Sequence, residues 1–151
     1  MSKEYMNSFR EARKEMGFKH TSSYVPSNRL ADYSLYVERL KAERMMEICQ
    51  LPPTSRERVV LAQRNVIDVP TPDEVAVLMK RYPNQTAITK NAKQCLEHLE
   101  NSNSTMNVGK LSDNDEDFNK WTSLAIAHNH MANVLWREIT YMVHQLETHK
   151  G

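Results

Sequence analysis

Apolar residues recur along this chain at steps of three and four, the spacing that keeps them on one face of an α-helix. The clearest run lies near the C-terminus. Phe118, Trp121, Ala125, His128, Ala132, Leu135, Ile139, Met142 and Leu146 alternate such steps without a break. That is a heptad seam, the pattern by which helices pack along one another. A second stripe, Leu124, Met131, Val134 and Tyr141, lies beside it. One helix cannot bury two stripes by itself, so segment 118–150 predicts a long helix that needs neighbours from this chain or another.

Upstream the pattern is broken into shorter pieces. Met1 to Met16 reads as a short charged helix with Met6, Phe9 and Met16 on one side, ended by Gly17. Segment 18–28 is irregular, with Ser22, Ser23 and Pro26 as breakers. A second helix is expected from about Arg29 to Gln50, its amphipathic stripe being Leu30, Tyr33, Val37, Leu40, Arg44, Ile48 and Leu51. Pro52-Pro53 stops it. Thr54-x-x-Glu57 has the form of a capping box, and a short helix to about Arg64 should follow. Val66 to Pro72 should be extended, because proline steers its predecessor away from helix. Thr71-Pro72-Asp73-Glu74 then starts a helix that turns Val75, Leu78, Met79 and Tyr82 inward and ends at Pro83. The next, from about Thr86 to Glu100, presents Ile88, Ala92, Cys95, Leu96 and Leu99. Asn101 to Asp117 is rich in Asn, Ser and Asp and reads as a mobile polar linker. The domain organisation is therefore a helical region 1–100, a flexible linker 101–117 and a heptad helix 118–150. No internal repeat is visible.

Composition sharpens this. Only 3 glycines and as many as 9 methionines favour helix over sheet. A 40% apolar fraction, 26% charge and a mean hydropathy of -0.67 describe helices with one buried stripe and a wide wet face. The fold class is all-α: several short helices plus a long C-terminal coiled-coil helix, its core completed by partner helices. The seam residues Trp121, His128, Leu135, Ile139, Met142 and Leu146 are the expected partner interface. A net charge of +1 gives no global signature for nucleic acid. Lys3, Arg10, Arg13, Lys14 and Lys19 nevertheless crowd the first segment. They form a solvated helix face or a contact for RNA or an acidic partner, with Arg10, Arg13 and Lys14 the candidate nucleic-acid contacts. Cys49 and Cys95 sit in apolar stripes and read as buried thiols of a reducing compartment. The N-terminus has no apolar core of a secretory signal, and no run is long enough to span a membrane.

The polar residues do not assemble into chemistry. His128 and His130 point about 200° apart on a helix and cannot share an ion within it. His128 occupies a seam position, where a polar group sets register. Asp113-x-Asp115-x-Asp117 resembles the start of a calcium loop, but Phe118 and Leu124 stand where that loop needs Gly and Glu. Acidic capping of the following helix explains the run better. No glycine loop can cradle a phosphate, and no Ser or Cys has a recognisable base. No enzyme activity, cofactor, metal or small-molecule substrate is expected. Trp121, Trp136, Tyr33, Tyr36 and Tyr82 are core anchors or interface hot spots. Val69-Pro70-Thr71-Pro72 is a rigid inter-helix turn or a segment that lies in a partner's groove.

A set of short motifs adds a family. Asp32-Tyr33-Ser34-Leu35-Tyr36 lies in a charged helix, followed by Arg64-Asn65-Val66-Ile67-Asp68-Val69-Pro70-Thr71-Pro72. A helix with Leu96-Glu97-His98 comes next, then the Trp-bearing heptad helix ending Gln145-Leu146-Glu147. This order resembles the splicing factor twenty-seven family, also called breast carcinoma amplified sequence two, the small helical subunit of the spliceosomal nineteen complex. The resemblance spans about Ser22 to Lys150. The family's opening acidic segment with Leu-Pro-Tyr and its longer C-terminal coiled coil have no counterpart here, which implies a reduced or divergent member. It implies a nuclear, non-catalytic scaffold in pre-mRNA splicing that bundles with other protein subunits. Asp32, Tyr33, Tyr36, Val69, Pro70 and Pro72 would be its packing elements. A stand-alone homodimeric coiled-coil adaptor and a small RNA-binding protein using the basic N-terminal helix are the competing readings.

Overall fold

The computed structural model describes residues 10–11, 13–52, 55–57 and 68–149, and every regular element among them is helical. A single 3₁₀ turn, Ser27–Arg29, leads into α1, Leu30–Ile48; then come α2, Pro72–Arg81, α3, Thr86–Lys110, and α4, Asp115–Thr148. The chain is all-α with a long C-terminal helix, as its periodicity predicts.

The helix ends follow local chemistry. Thr71 caps α2 with a complete capping box: its hydroxyl accepts the Glu74 N–H while the Glu74 carboxylate accepts the Thr71 N–H. Pro72 takes the first helical position, where its missing N–H costs nothing. Asn114 caps α4 by accepting the Asp117 N–H at 2.7 Å, and Asp115, Glu116 and Asp117 face the positive end of the helix dipole. Gly17, at φ 83°, ends the N-terminal helical turn in a Schellman motif, with Gly17 N–H donating to Lys14 and Phe18 N–H to Arg13. The expected helix from Thr54 to Arg64, the remainder of the Met1–Met16 helix, and Val66-Ile67 lie largely or wholly outside the described residues.

α4 is the axis of the molecule, with α3 and α1 packed against it, both antiparallel to it. Toward α3, Cys95 meets Ala132, Ser102 meets Ala125 and Asn91 meets Glu138. The main core joins Ile88, Ala92 and Cys95 of α3 to Ala132, Leu135 and Ile139 of α4, with Val75 and Tyr82 of the α2 region closing it. Toward α1, Ala42 packs with Met131 and Val134, while Met45 and Ile48 pack with Ile126 and Ala127. Glu138 ties the layers together, paired with Arg39 of α1 at 3.2 Å and accepting from Asn91 of α3 at 3.1 Å. Burial pushes the Glu138 pKa up, and the Arg39 guanidinium opposes that rise.

Three expectations are corrected. The polar linker 101–117 is not a linker over most of its length: α3 continues to Lys110, and only residues 111–114 connect it to α4. Its small residues extend the helical seam. Ile88, Ala92, Cys95, Leu99, Ser102, Met106 and Gly109 keep steps of four and three, and Ser102 and Gly109 are buried. Side-chain hydroxyls that would compete with the helix bond back to it instead, Ser104 to the Glu100 carbonyl and Thr105 to that of Asn101. Second, the middle of each apolar stripe of α4 is covered from within the chain, the seam by α3 and the second stripe by α1, while Phe118 is 46% exposed and Trp121, Met142 and Leu146 are half-buried. Third, the stripe assigned to α1 is not its packing face over its first half. α1 turns Asp32, Leu35, Arg39, Ala42 and Met45 toward the protein, leaving Leu30, Tyr33 and Leu40 exposed.

Candidate protein-interaction surface

The orientation of α1 creates the surface. Its inner face is chosen by Ala42, small enough for close approach to Met131 and Val134, and by two polar ties, Asp32 to Tyr141 and Arg39 to Glu138. With that face committed, the other stripe must point out. Leu30 is 54% exposed, Tyr33 39%, Tyr36 64% and Leu40 47%, with Val37 half-buried between them. These side chains share one side of three helical turns, an apolar band that no described part of the chain fully covers.

The N-terminal segment flanks this band. Met16 is fully buried against Met45, Ile48, Ile126 and Ala127 and anchors the segment to the second half of α1. Arg44 of α1 donates from Nε to the Met16 carbonyl at 2.9 Å and lies over Gly17, where a Cβ would stand 2.9 Å from its guanidinium. From this anchor the segment stands away from the first half of α1 and leaves a cleft of about 1220 Å³. Phe18, Tyr33 and Val37 supply apolar lining; Arg10, Arg13, Lys14, Lys19 and Lys41 supply cations, and Glu11 is the acid among the described lining residues. Lys41 pairs with Glu38 at 3.1 Å. Among the described residues no ion pair engages Arg10, Lys14 or Lys19.

The sequence-predicted residues divide between core and surface. Of the expected partner seam, His128, Leu135 and Ile139 are buried under α3, and Met142 and Leu146 are half-buried around the same core. Trp121 is half-buried near the turn, with Lys120 Nζ 4.9 Å from its ring centroid. Among the packing elements, Asp32 is tied to Tyr141 and Arg29, Val69 packs on the main core, Pro70 is buried, and Pro72 opens α2. Tyr33 and Tyr36 face outward instead, because they lie off the face of α1 on which Ala42 packs against α4. Arg10, Arg13 and Lys14 come together along the cleft. Sequence reasoning placed Leu30 and Leu40 in the right stripe but could not say that this stripe stays open.

Two titratable sites lie at the α3–α4 contact. His98 Nδ1 and His128 Nδ1 stand 2.8 Å apart, so in the neutral pair one ring donates to the other. Burial and then the neighbouring His98 charge push the His128 pKa down to about 4; burial also lowers that of His98. His98 was the partner missed from sequence, since it lies one residue off the α3 seam. Cys95 donates to the Ala132 carbonyl at 3.4 Å, and burial pushes its thiol up to about 11, so it is a packing group and a poor nucleophile. Cys49 is half-buried, its thiol donating to the Met46 carbonyl. Among the described residues no three His, Cys, Asp or Glu side chains converge to hold a metal ion, and no helix is long and apolar enough to cross a membrane.

The fold and this surface together describe a small helical module with an open apolar face. In comparisons with protein-family models, curated proteins and solved structures, nothing matches the chain.

Proposed function

We propose that this chain is a non-catalytic helical scaffold subunit that acts through protein–protein contacts, and that its assembly is the spliceosomal nineteen complex of the nucleus. The observation supporting protein binding is the outward band Leu30, Tyr33, Tyr36 and Leu40 on α1. Tyrosine is enriched among binding hot spots, and Tyr33 and Tyr36 offer large, rigid, amphipathic contact area that Leu30 and Leu40 extend as apolar surface. The choice of assembly is supported by the motif order from Asp32-Tyr33-Ser34-Leu35-Tyr36 through Val69-Pro70-Thr71-Pro72 to Gln145-Leu146-Glu147. In this reading the docking surface is α1 rather than the α4 seam, because α3 already covers His128, Leu135 and Ile139 at the middle of that seam.

The test is co-elution of the purified chain with recombinant nineteen-complex subunits, with mass read by light scattering. A stable complex that Tyr36→Asp with Leu40→Asp disrupts is the expected result. A wild-type chain that stays monomeric beside those subunits would remove the spliceosomal assignment. A homodimer dissolved by the same pair of substitutions would put the stand-alone adaptor in its place.

A further inference from the structure

The cleft beside α1 has a chemistry more specific than the band it adjoins. We infer that the cleft between the N-terminal segment and α1 receives an acidic amphipathic helix of a partner protein, its apolar ridge on Tyr33 and Val37 and its carboxylates on Arg10, Lys14 and Lys19. The inference rests on the protein-binding reading above and names the class of partner.

The shape comes first. At about 1220 Å³ the cleft is larger than the ~300–1,000 Å³ usual for a small-molecule site. Beyond its lining, Leu30 and Leu40 are exposed one helical step from Tyr33 and Val37, so the apolar face continues along several turns of α1. An elongated occupant matches that floor. A helix laid in a groove uses anchors three and four residues apart, the same steps at which α1 presents Leu30, Tyr33, Val37 and Leu40.

Charge comes second. Arg10, Lys14 and Lys19 are exposed on one wall, and Lys41 stands on the other. Among the described lining residues Glu11 alone is acidic, and Glu38 offsets Lys41. The cleft is therefore cationic while the whole chain carries only +1. A partner helix with acids flanking an apolar ridge satisfies both walls and floor at once, which sets its orientation as well as its affinity.

A single-stranded nucleic acid fits less well. Grooves for such strands interleave cations with flat aromatic faces on which bases stack. Here Phe18 and Tyr33 offer two aromatic faces beside Val37, but the apolar face of α1 continues past them into the aliphatic Leu30 and Leu40, which give bases nothing to stack on. The near-neutral net charge also supplies no long-range field to gather a polyanion.

The experiment selects from a displayed library of randomised helical peptides against the full chain at physiological salt. Enriched peptides are then titrated by fluorescence anisotropy against wild type, an Arg10→Glu plus Lys14→Glu variant, and Tyr36→Asp. Arg10 and Lys14 are exposed, and unchanged far-ultraviolet circular dichroism verifies that the charge reversal leaves the fold intact. The expected winners carry Asp or Glu beside apolar residues at helical spacing and lose at least about tenfold in affinity on the charge reversal. Peptides without acids, no enrichment at all, or oligouridylate binding more tightly than the best peptide would overturn the inference. Peptides that Tyr36→Asp abolishes but the charge reversal leaves untouched would also overturn it, while leaving the wider protein-binding reading in place.

Discussion

Tyr141 on α4 donates its hydroxyl to the Asp32 carboxylate on α1 across 2.7 Å, joining residues 109 positions apart. The bond sits near the start of α1, where the helix has few buried apolar side chains, and so fixes which of its faces turns inward. The Tyr141 bond, and then the bond from Arg29, hold the Asp32 carboxyl below its ordinary pKa. A carboxyl depressed in the folded state adds stability above its unfolded pKa and loses it as pH falls through the folded value. Tyr141→Phe is expected to lower the thermal midpoint by a few degrees near neutral pH. Its deficit relative to wild type should shrink in acid as Asp32 protonates in both proteins, which a melting series against pH reads directly.

Acid should also act at the α3–α4 contact. The facing His98 and His128 rings are both held neutral, with Arg39 of α1 disfavouring and Glu97 favouring a proton on His98. For a histidine whose pKa is depressed on folding, stability is complete above the unfolded value of 6.5 and is lost as pH falls toward the folded one, here about 4. The thermal midpoint of the wild type should therefore fall across this window. In His128→Asn the same window should be flatter, because one proton-binding step has been removed. An equal slope in both proteins would show that the pair does not govern acid sensitivity.

Leu135 is fully buried between α3 and α4. Leu135→Ala should destabilise by about 2–5 kcal/mol in urea unfolding, the cost of lost transfer energy plus a residual cavity. Leu111→Ala, at the turn and 83% exposed, should change stability by no more than about 0.5 kcal/mol.

Gly109 tests the reassigned linker. A Cβ there would stand 3.3 Å from Trp121 Cβ and 3.4 Å from Thr122 Cγ2. Gly109→Leu should therefore cost about 1–3 kcal/mol by overpacking, despite leucine's better helix propensity. A mobile linker would accept the same change without loss, so the melting curve separates the two descriptions.

These residues also show what the sequence discloses. The α4 seam was readable because large apolar side chains carry the period across the whole helix. The end of α3 was not, because Ser102 and Gly109 hold the same period with residues whose composition signals disorder. The face of α1 was ambiguous for another reason. Leu30, Tyr33, Val37 and Leu40 form a correct amphipathic stripe, yet a stripe does not say whether its cover is internal. That choice was made by Ala42, Arg39 and Asp32, whose partners Val134, Glu138 and Tyr141 lie a hundred residues away in sequence. The cationic wall was visible as a cluster, but the apolar floor opposite it required the fold.

The two ends of the α3–α4 contact are built from different side chains. Near the connecting turn the contacts are Gly109 with Trp121 and Thr122, and Ser102 with Ala125; at the far end they are Ile88 and Ala92 with Leu135 and Ile139. Val75 and Tyr82 cover the end away from the turn, and Tyr82 donates to Glu147 at 2.8 Å there. The end joined by residues 111–114 is tethered and the other is held by α2, so local opening is expected to begin at the α2 end, and amide exchange should slow progressively from Ile88 to Ser102 along α3.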